Sequence, residues 1–203
     1  VTVLDRRAAL ALTAAALAAP GVLAEAADAE LRRPVDALCA ALIDVMRRAA
    51  ELGFDGRRSR LAPVVDATFA FPVMARAIIG PAWAQTPADE RERFTVAFRA
   101  FTVATFAQRF AGWSGERFEV ADEVRLVGGG GIVASRLLRG DGGEPVQLDY
   151  LVRKDASGPR IVDIYLQGTI SEVATKRAEF GALLRRDGMA KLIETIEART
   201  PRG

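Results

Sequence analysis

Between Pro34 and Leu52 the apolar positions Val35, Leu38, Leu42, Val45, Met46 and Ala49 recur at spacings of three and four. That is the period of an amphipathic helix. Pro34 fits its first helical position, and Gly53 with Asp55-Gly56 closes it. Arg57 to Phe69 and Pro72 to Ile79 predict two shorter helices that turn Leu61, Val64, Val65, Val73, Met74 and Ile78 inward, with Gly80-Pro81 ending the second. Thr86-Pro87-Ala88-Asp89 reads as a helix start: Thr86 caps, Pro87 takes the first helical position, and acids fill the first turn. The helix should run to about Ala111. Phe94, Phe98 and Phe101 share one stripe of it, whereas Phe106 and Phe110 lie on another. A helix between a sheet and other helices would be buried in this way, on more than one side.

From Phe118 the period changes to two. Arg117 to Val127, Ile132 to Leu138, Val146 to Arg153 and Arg160 to Gln167 read as four strands. Their connections, Gly128-Gly129-Gly130-Gly131, Gly140-Asp141-Gly142-Gly143 and Asp155-Ala156-Ser157-Gly158, are short and glycine-bearing, as hairpins require. Short loops between successive strands imply an antiparallel meander. Ser171 then caps a helix to about Arg186, Gly188 interrupts it, and Met189 to Ala198 makes a last helix. The chain is therefore expected to be α+β, a four-stranded antiparallel sheet covered by about six helices. No internal repeat or linker divides it.

The start of the chain has a separate pattern. Arg6 and Arg7 precede an apolar run, Ala8 to Ala19, and Pro20-Gly21 and Val22-Leu23-Ala24 follow. A basic segment, a short apolar stretch and a small-residue site describe a secretory signal peptide. The run is too short to span a bilayer, which takes roughly 20 apolar residues. Residues 1–24 are thus expected to be a signal peptide, with Ala26 as a second cleavage site, and residues 25–203 a single exported domain. Cys39 has no lipobox before it and reads as a small buried hydrophobe.

Composition mainly removes possibilities. The chain has 203 residues, no histidine, one cysteine, and 28 Lys+Arg against 26 Asp+Glu, for a net charge of +2. Absence of histidine excludes Ser-His-Asp and Cys-His catalysis and histidine-ligated zinc. The near-neutral balance argues against a nucleic-acid binder. The glycine run at 128–131 lacks a following Gly-Lys-Ser/Thr and leads into a strand, so it is a hairpin loop rather than a phosphate cradle. Asp149, Asp163, Tyr150 and Tyr165 sit on adjacent strands and offer one route to acid–base chemistry. Strand alternation, however, puts Asp149 and Tyr150 on opposite faces, so one of each such pair should meet solvent. Arg57, Arg58 and Arg60, with Arg47 and Arg48, form a basic cluster that reads as a solvated face, with membrane or phosphate contact as the alternative. Ten Phe against two Trp and two Tyr suit a packed core, or a cavity that binds a ligand by apolar burial.

Several segments in order resemble one known family. Leu61-Ala62-Pro63-Val64-Val65 through Phe69, Met74-Ala75-Arg76, Gly80-Pro81-Ala82-Trp83, Thr86-Pro87 with Phe98-Arg99, and Asp163-Ile164-Tyr165-Leu166-Gln167-Gly168-Thr169-Ile170-Ser171 with Arg177 and Phe180 are similar to the MlaC-type periplasmic lipid carriers. Leu52-Gly53-Phe54 with Arg58, the Gly80-Pro81-Ala82-Trp83 run, and Gly168-Thr169-Ile170-Ser171 resemble the hopanoid-associated branch, HpnM. Phe69-Ala70-Phe71 departs from many relatives, which place Asp between the aromatics. The resemblance implies a twisted sheet wrapped by helices with an apolar pocket between them. It implies a periplasmic shuttle for a hopanoid-like lipid or a phospholipid, working as a monomer with inner-membrane and outer-membrane components of an ABC/MCE-type or RND-type system. Transient membrane contact goes with that role; nucleic acid, metal, cofactor, catalytic residue and enzyme activity do not.

The residues expected to line the pocket are Phe69, Met74, Ile78, Phe98, Phe101, Phe106, Tyr150, Ile164 and Leu166. Phe106 matches an aromatic position of the family's central helix, and periodicity supplies the others; Trp83 is expected to anchor the Gly80-Pro81 turn. Two other readings stay open on the residues: an acid–base enzyme using Asp149 or Asp163, and a ligand-free interaction module of a periplasmic complex.

Overall fold

The computed structural model describes residues 20–203. The signal peptide expected over 1–24 lies outside the described residues except for the backbone of its last turn, which opens the first helix. The elements are α1 (Pro20–Arg47), α2 (Ala49–Thr68), α3 (Phe71–Ile79), a 3-10 turn (Gly80–Gln85), α4 (Ala88–Arg109), β1 (Arg117–Val127), β2 (Gly130–Leu138), β3 (Val146–Asp155), β4 (Gly158–Leu166), β5 (Ile170–Ser171) and α5 (Glu172–Arg199). The fold is α+β, and the strands form one antiparallel meander in the order β1-β2-β3-β4-β5.

The sheet has five strands rather than four. β5 is only two residues, pairing Tyr165 with Ser171 and Leu166 with Ile170. The turn before it carries Gln167 at φ 51 and Gly168 at φ 70. Strand alternation sorts the inner face, where Leu137 pairs with Val146, Ser135 with Leu148, Val133 with Tyr150, and Gly131 with Val152. β4 continues these rows: Leu166 opposes Leu148 and Ile164 opposes Tyr150. A shift in register between Leu151 and Val152 lets Ile161 follow as the next inward residue.

The helices differ from expectation at their ends. Pro34 lies inside α1 instead of starting it. A proline has no N–H, so the Glu30 carbonyl loses its helical donor there, a cost that packing of Leu31, Val35 and Leu38 in the core offsets. Gly53 (φ 59, ψ −173) breaks α2 after its first turn, and Gly188 (φ 80, ψ 175) breaks α5. Both positions demand a backbone that residues with a β-carbon rarely adopt. The two breaks stand where the sequence places them, although the helix after Gly53 resumes ahead of Arg57. Thr86 does not cap α4: its Oγ1 donates to the Ala82 carbonyl at 2.9 Å, closing the 3-10 turn, and Pro87 holds the cap position.

α1 crosses the sheet and is tied to it by charge. Arg32 reaches Asp122 at 2.8 Å, and Lys154 reaches Glu30 at 2.5 Å. The basic cluster is a solvated face at Arg47, Arg58 and Arg60, and within it Arg57 alone is buried. Arg58 pairs with Asp55, Arg60 with Asp44 and Arg48 with Glu51. Arg57 is 7% exposed and donates from Nε to the Ala107 carbonyl at 2.9 Å and from Nη1 to the Ala49 carbonyl at 3.1 Å, clasping α2 to α4. Lysine cannot reproduce this two-pronged geometry. Arg57→Lys is expected to lower stability by about 1–2 kcal/mol, read as a shifted urea midpoint with an unchanged slope.

Candidate functional site

The inner face of the sheet does not close onto the helices along its whole length. Between them lies a cavity of about 730 Å³, within the range of small-molecule sites. Its floor is the sheet: Leu137, Val146, Leu148, Tyr150, Ile164 and Leu166. Its roof is α4, which contributes Phe98, Phe101, Thr102, Thr105 and Phe106, with Phe110 at its C-terminal cap. Leu42 and Met46 of α1 close one side with Phe69 and Met74. Val173 and Lys176 of α5 close the other.

Both phenylalanine stripes of α4 reach the cavity. Phe94 stacks on Phe98 at 6.2 Å between centroids and meets Phe180 of α5 edge-on at 6.3 Å. Phe106 lies 6.0 Å from Phe69 and 6.1 Å from Phe110, which continues to Phe118 of β1 at 6.4 Å. Phe94 packs helix against helix, whereas Phe98, Phe101, Phe106 and Phe110 border the cavity.

Polar groups in the wall are few. Thr102 Oγ1 donates to the Phe98 carbonyl at 2.9 Å, whereas the buried Thr105 hydroxyl has no partner. Charge is confined to Arg109, Glu116, Arg139, Glu172 and Lys176. Lys176 pairs with Glu179, and its ammonium lies 5.4 Å from the Phe101 ring centroid and 5.5 Å from that of Phe180, a cation–π contact with both rings.

Where Tyr150 of the cavity floor meets α1, burial pushes its phenol well above the ordinary range, with Cys39 and Ser135 as its neighbours. Burial likewise pushes the Cys39 thiol up to about 12 from 9.0. Both groups are neutral in the fold, and unfolding releases them to ionise. Stability from Cys39 is therefore complete below its unfolded pKa of 9.0 and falls as pH rises toward about 12. A loss of about 2 kcal/mol is expected by about pH 10.5, larger if Tyr150 begins to contribute. Denaturant midpoints across that range check it, and Cys39→Ala should flatten the slope.

The two carboxylates considered for acid–base chemistry stand outside the cavity wall. Asp149 and Asp163 are both buried, yet neither lines the cavity. The Asp163 carboxylate accepts from Ile164 N at 2.8 Å, Val173 N at 3.0 Å and Ser171 Oγ at 2.5 Å, and so joins β4 to the start of α5. Asp149 accepts from Gln147 Nε2 at 3.2 Å. The expectation that Asp149 or Tyr150 meets solvent is corrected: the outer face is covered at Asp149 by Gln147 and the turn at Gly168. Among the described residues, no group of three or more metal-ligating side chains could hold an ion, and no helix is long and apolar enough to cross a membrane.

A family model described as the MlaC protein matches residues 36–198. The chain belongs to the MlaC family. Among solved structures, the phospholipid-binding protein from Ralstonia solanacearum, in complex with a phospholipid, is similar with a TM-score of 0.71 at 20% identity. The match covers 86% of this chain and 96% of that one. At that identity the likeness establishes the fold.

Against this MlaC-family frame, Phe69, Met74, Phe98, Phe101, Phe106, Tyr150, Ile164 and Leu166 all stand around the one cavity. Ile78 does not; it is 0% exposed in the packed core between α3 and its neighbours. Leu42, Met46, Phe110, Leu137, Val146, Leu148 and Val173 join the wall without having been singled out. The alternation of Val146, Leu148 and Tyr150 carried a signal for two of them, and the second phenylalanine stripe for a third. Trp83 stands in the 3-10 turn after Gly80, half-buried, with the Arg91 guanidinium 5.7 Å from its ring centroid.

Proposed function

We propose that this MlaC-family chain is a periplasmic lipid carrier that holds the apolar part of one lipid in the cavity between α4 and the sheet. The observation that carries the reading is the cavity: about 730 Å³, walled by aromatic and aliphatic side chains, with charge only at a few edge positions. At about 0.8 kcal/mol per methylene, a chain of about 15 methylenes costs on the order of 12 kcal/mol to hold in water. Apolar walls offset that cost without a metal, cofactor or reacting group. Phe69, Met74, Phe98, Phe101, Phe106, Tyr150, Ile164 and Leu166 would touch the lipid, and its headgroup would stay near Arg109, Arg139 and Lys176.

The family, and a phospholipid-bound protein of the same fold, support a lipid as the ligand class. The finer reading is a hopanoid-like or phospholipid cargo exchanged with inner-membrane and outer-membrane transport components. Its support is the resemblance of Leu52-Gly53-Phe54 and Gly168-Thr169-Ile170-Ser171 to the hopanoid-associated branch.

Residues 25–203, expressed in a host that makes both lipid classes, should carry one lipid per chain in native mass spectra. Extraction then separates the two: a polycyclic triterpenoid supports the hopanoid reading, and a diacyl lipid a phospholipid carrier. A folded chain that stays lipid-free through this procedure overturns the proposal.

A further inference from the structure

Six large apolar side chains stand exposed among the described residues, and three of them gather at the cavity mouth. Val146 (41% exposed) and Ile170 (48%) line the cavity themselves. Trp113 (46%) belongs to the α4–β1 connection, whose Gly112 and Glu116 line it too. The three are parts of one surface. The Gly140 backbone lies so close against the Ser114 carbonyl that a β-carbon has no room, so the β2–β3 loop seats directly on the Trp113 connection. Trp113 Nε1 donates to the Glu116 carbonyl at 3.0 Å, which satisfies the only polar atom of the indole and leaves its ring outward.

The charges around this rim are interleaved rather than of one sign. The Arg47 guanidinium lies 5.2 Å from the Trp113 ring centroid, and Arg109 makes no ion pair among the described residues. Arg139 is held by Asp141, Lys176 by Glu179, and the Glu116 carboxylate accepts from Ser114 N at 2.5 Å. Glu172 stands at the first turn of α5. A protein partner recognised by charge would call for a patch of one sign. Apolar tips beside arginines free to meet phosphates instead match a bilayer interface, where Trp and Arg or Lys anchor at headgroup level.

We propose that this rim docks on a phospholipid bilayer: Trp113, Val146 and Ile170 enter the headgroup layer, Arg47 and Arg109 meet phosphates, and the cavity mouth faces the lipid it exchanges. The proposal rests on the carrier reading.

The sequence contains only two tryptophans, Trp83 and Trp113, so Trp83→Phe makes Trp113 the sole indole reporter. This variant would be mixed with vesicles of equal parts phosphatidylethanolamine and phosphatidylglycerol, with and without acyl-brominated lipid. The expected result is a blue-shifted Trp113 emission, quenched by the brominated lipid and restored when the vesicles are pelleted away. In flotation assays Trp113→Ser and Arg109→Glu, each folded by circular dichroism, should bind vesicles about tenfold more weakly. Three results overturn the proposal. One is an emission that vesicles do not move. Another is quenching that stays with the protein after the vesicles are removed, which marks cargo in the cavity rather than docking. The third is association only with native membranes, lost once their proteins are stripped, which assigns the rim to a protein partner. Native mass spectra of the same preparation keep the two readings apart: lipid bound without docking sinks the docking alone, and docking without bound lipid sinks the carrier alone.

Discussion

Leu148→Glu is expected to empty the cavity while the protein stays folded, whereas Ile78→Glu is expected to unfold it. Both positions carry apolar side chains of similar size. Leu148 lies half-buried on β3 opposite Ser135 and Leu166, and its side chain borders open space. Ile78 is 0% exposed in the close-packed core. A carboxylate at 148 can be hydrated in an empty cavity that communicates with the mouth. It loses that water only when an acyl or ring system fills the space. The desolvation penalty therefore falls on the lipid-bound state, at about 3 kcal/mol or more, which is a hundredfold or more in affinity. At 78 the same penalty falls on folding itself, with added overpacking. Lipid per folded chain by extraction, and thermal unfolding of each variant, check the pair. Retention of lipid by Leu148→Glu, or equal destabilisation of the two variants, would show that the space on the sheet is not the binding cavity.

The contrast between Leu148 and Ile78 also shows where sequence reading stops. Alternation at Val146, Leu148 and Tyr150, glycine-bearing hairpin loops and the cap at Ser171 mark strands and inward faces, because each is a local rule of backbone geometry. The breaks at Gly53 and Gly188 are legible for the same reason. An inward face does not reveal whether another element fills the space in front of it. Met74 borders the cavity and Ile78, one helical turn later, lies in the packed core; which elements stand in front of each is a tertiary fact that no local pattern encodes. Arg57 misled because a run of arginines is normally solvated, and its buried partners are backbone carbonyls of Ala49 and Ala107, invisible in composition. Pro34 misled because proline favours a helix start only when nothing else holds the preceding turn, and here the packed Leu31 does. β5 is too short for any periodicity to register, and it exists because the Gln167-Gly168 turn lays Ile170-Ser171 back on β4.

That short strand makes Asp163 the other position where a single change should have a large effect. One Asp163 oxygen accepts from the Ile164 and Val173 amides, and the other accepts from the Ser171 hydroxyl. Ser171 Oγ in turn accepts from Ala174 N at 2.9 Å, so the carboxylate and hydroxyl together satisfy free amides at the start of α5. A negative group at a helix N-terminus also meets the positive end of the helix dipole. Hydrogen bonds to a charged acceptor contribute about 1.5–3 kcal/mol each, and removing the acceptor strands buried donors. Asp163→Ala should therefore cost about 4 kcal/mol, a fall of roughly 10 °C in Tm for a domain of this size. Asp163→Asn keeps one acceptor oxygen and should cost about half as much. Since α5 supplies Val173 and Lys176 to the cavity wall, loosening its start should also widen the mouth and speed lipid loss from the folded fraction. Unfolding curves for the two variants, with lipid release followed by dilution into lipid-free vesicles, measure both effects. An Asp163→Ala variant as stable as the parent would show that this buried carboxylate does not hold the start of α5.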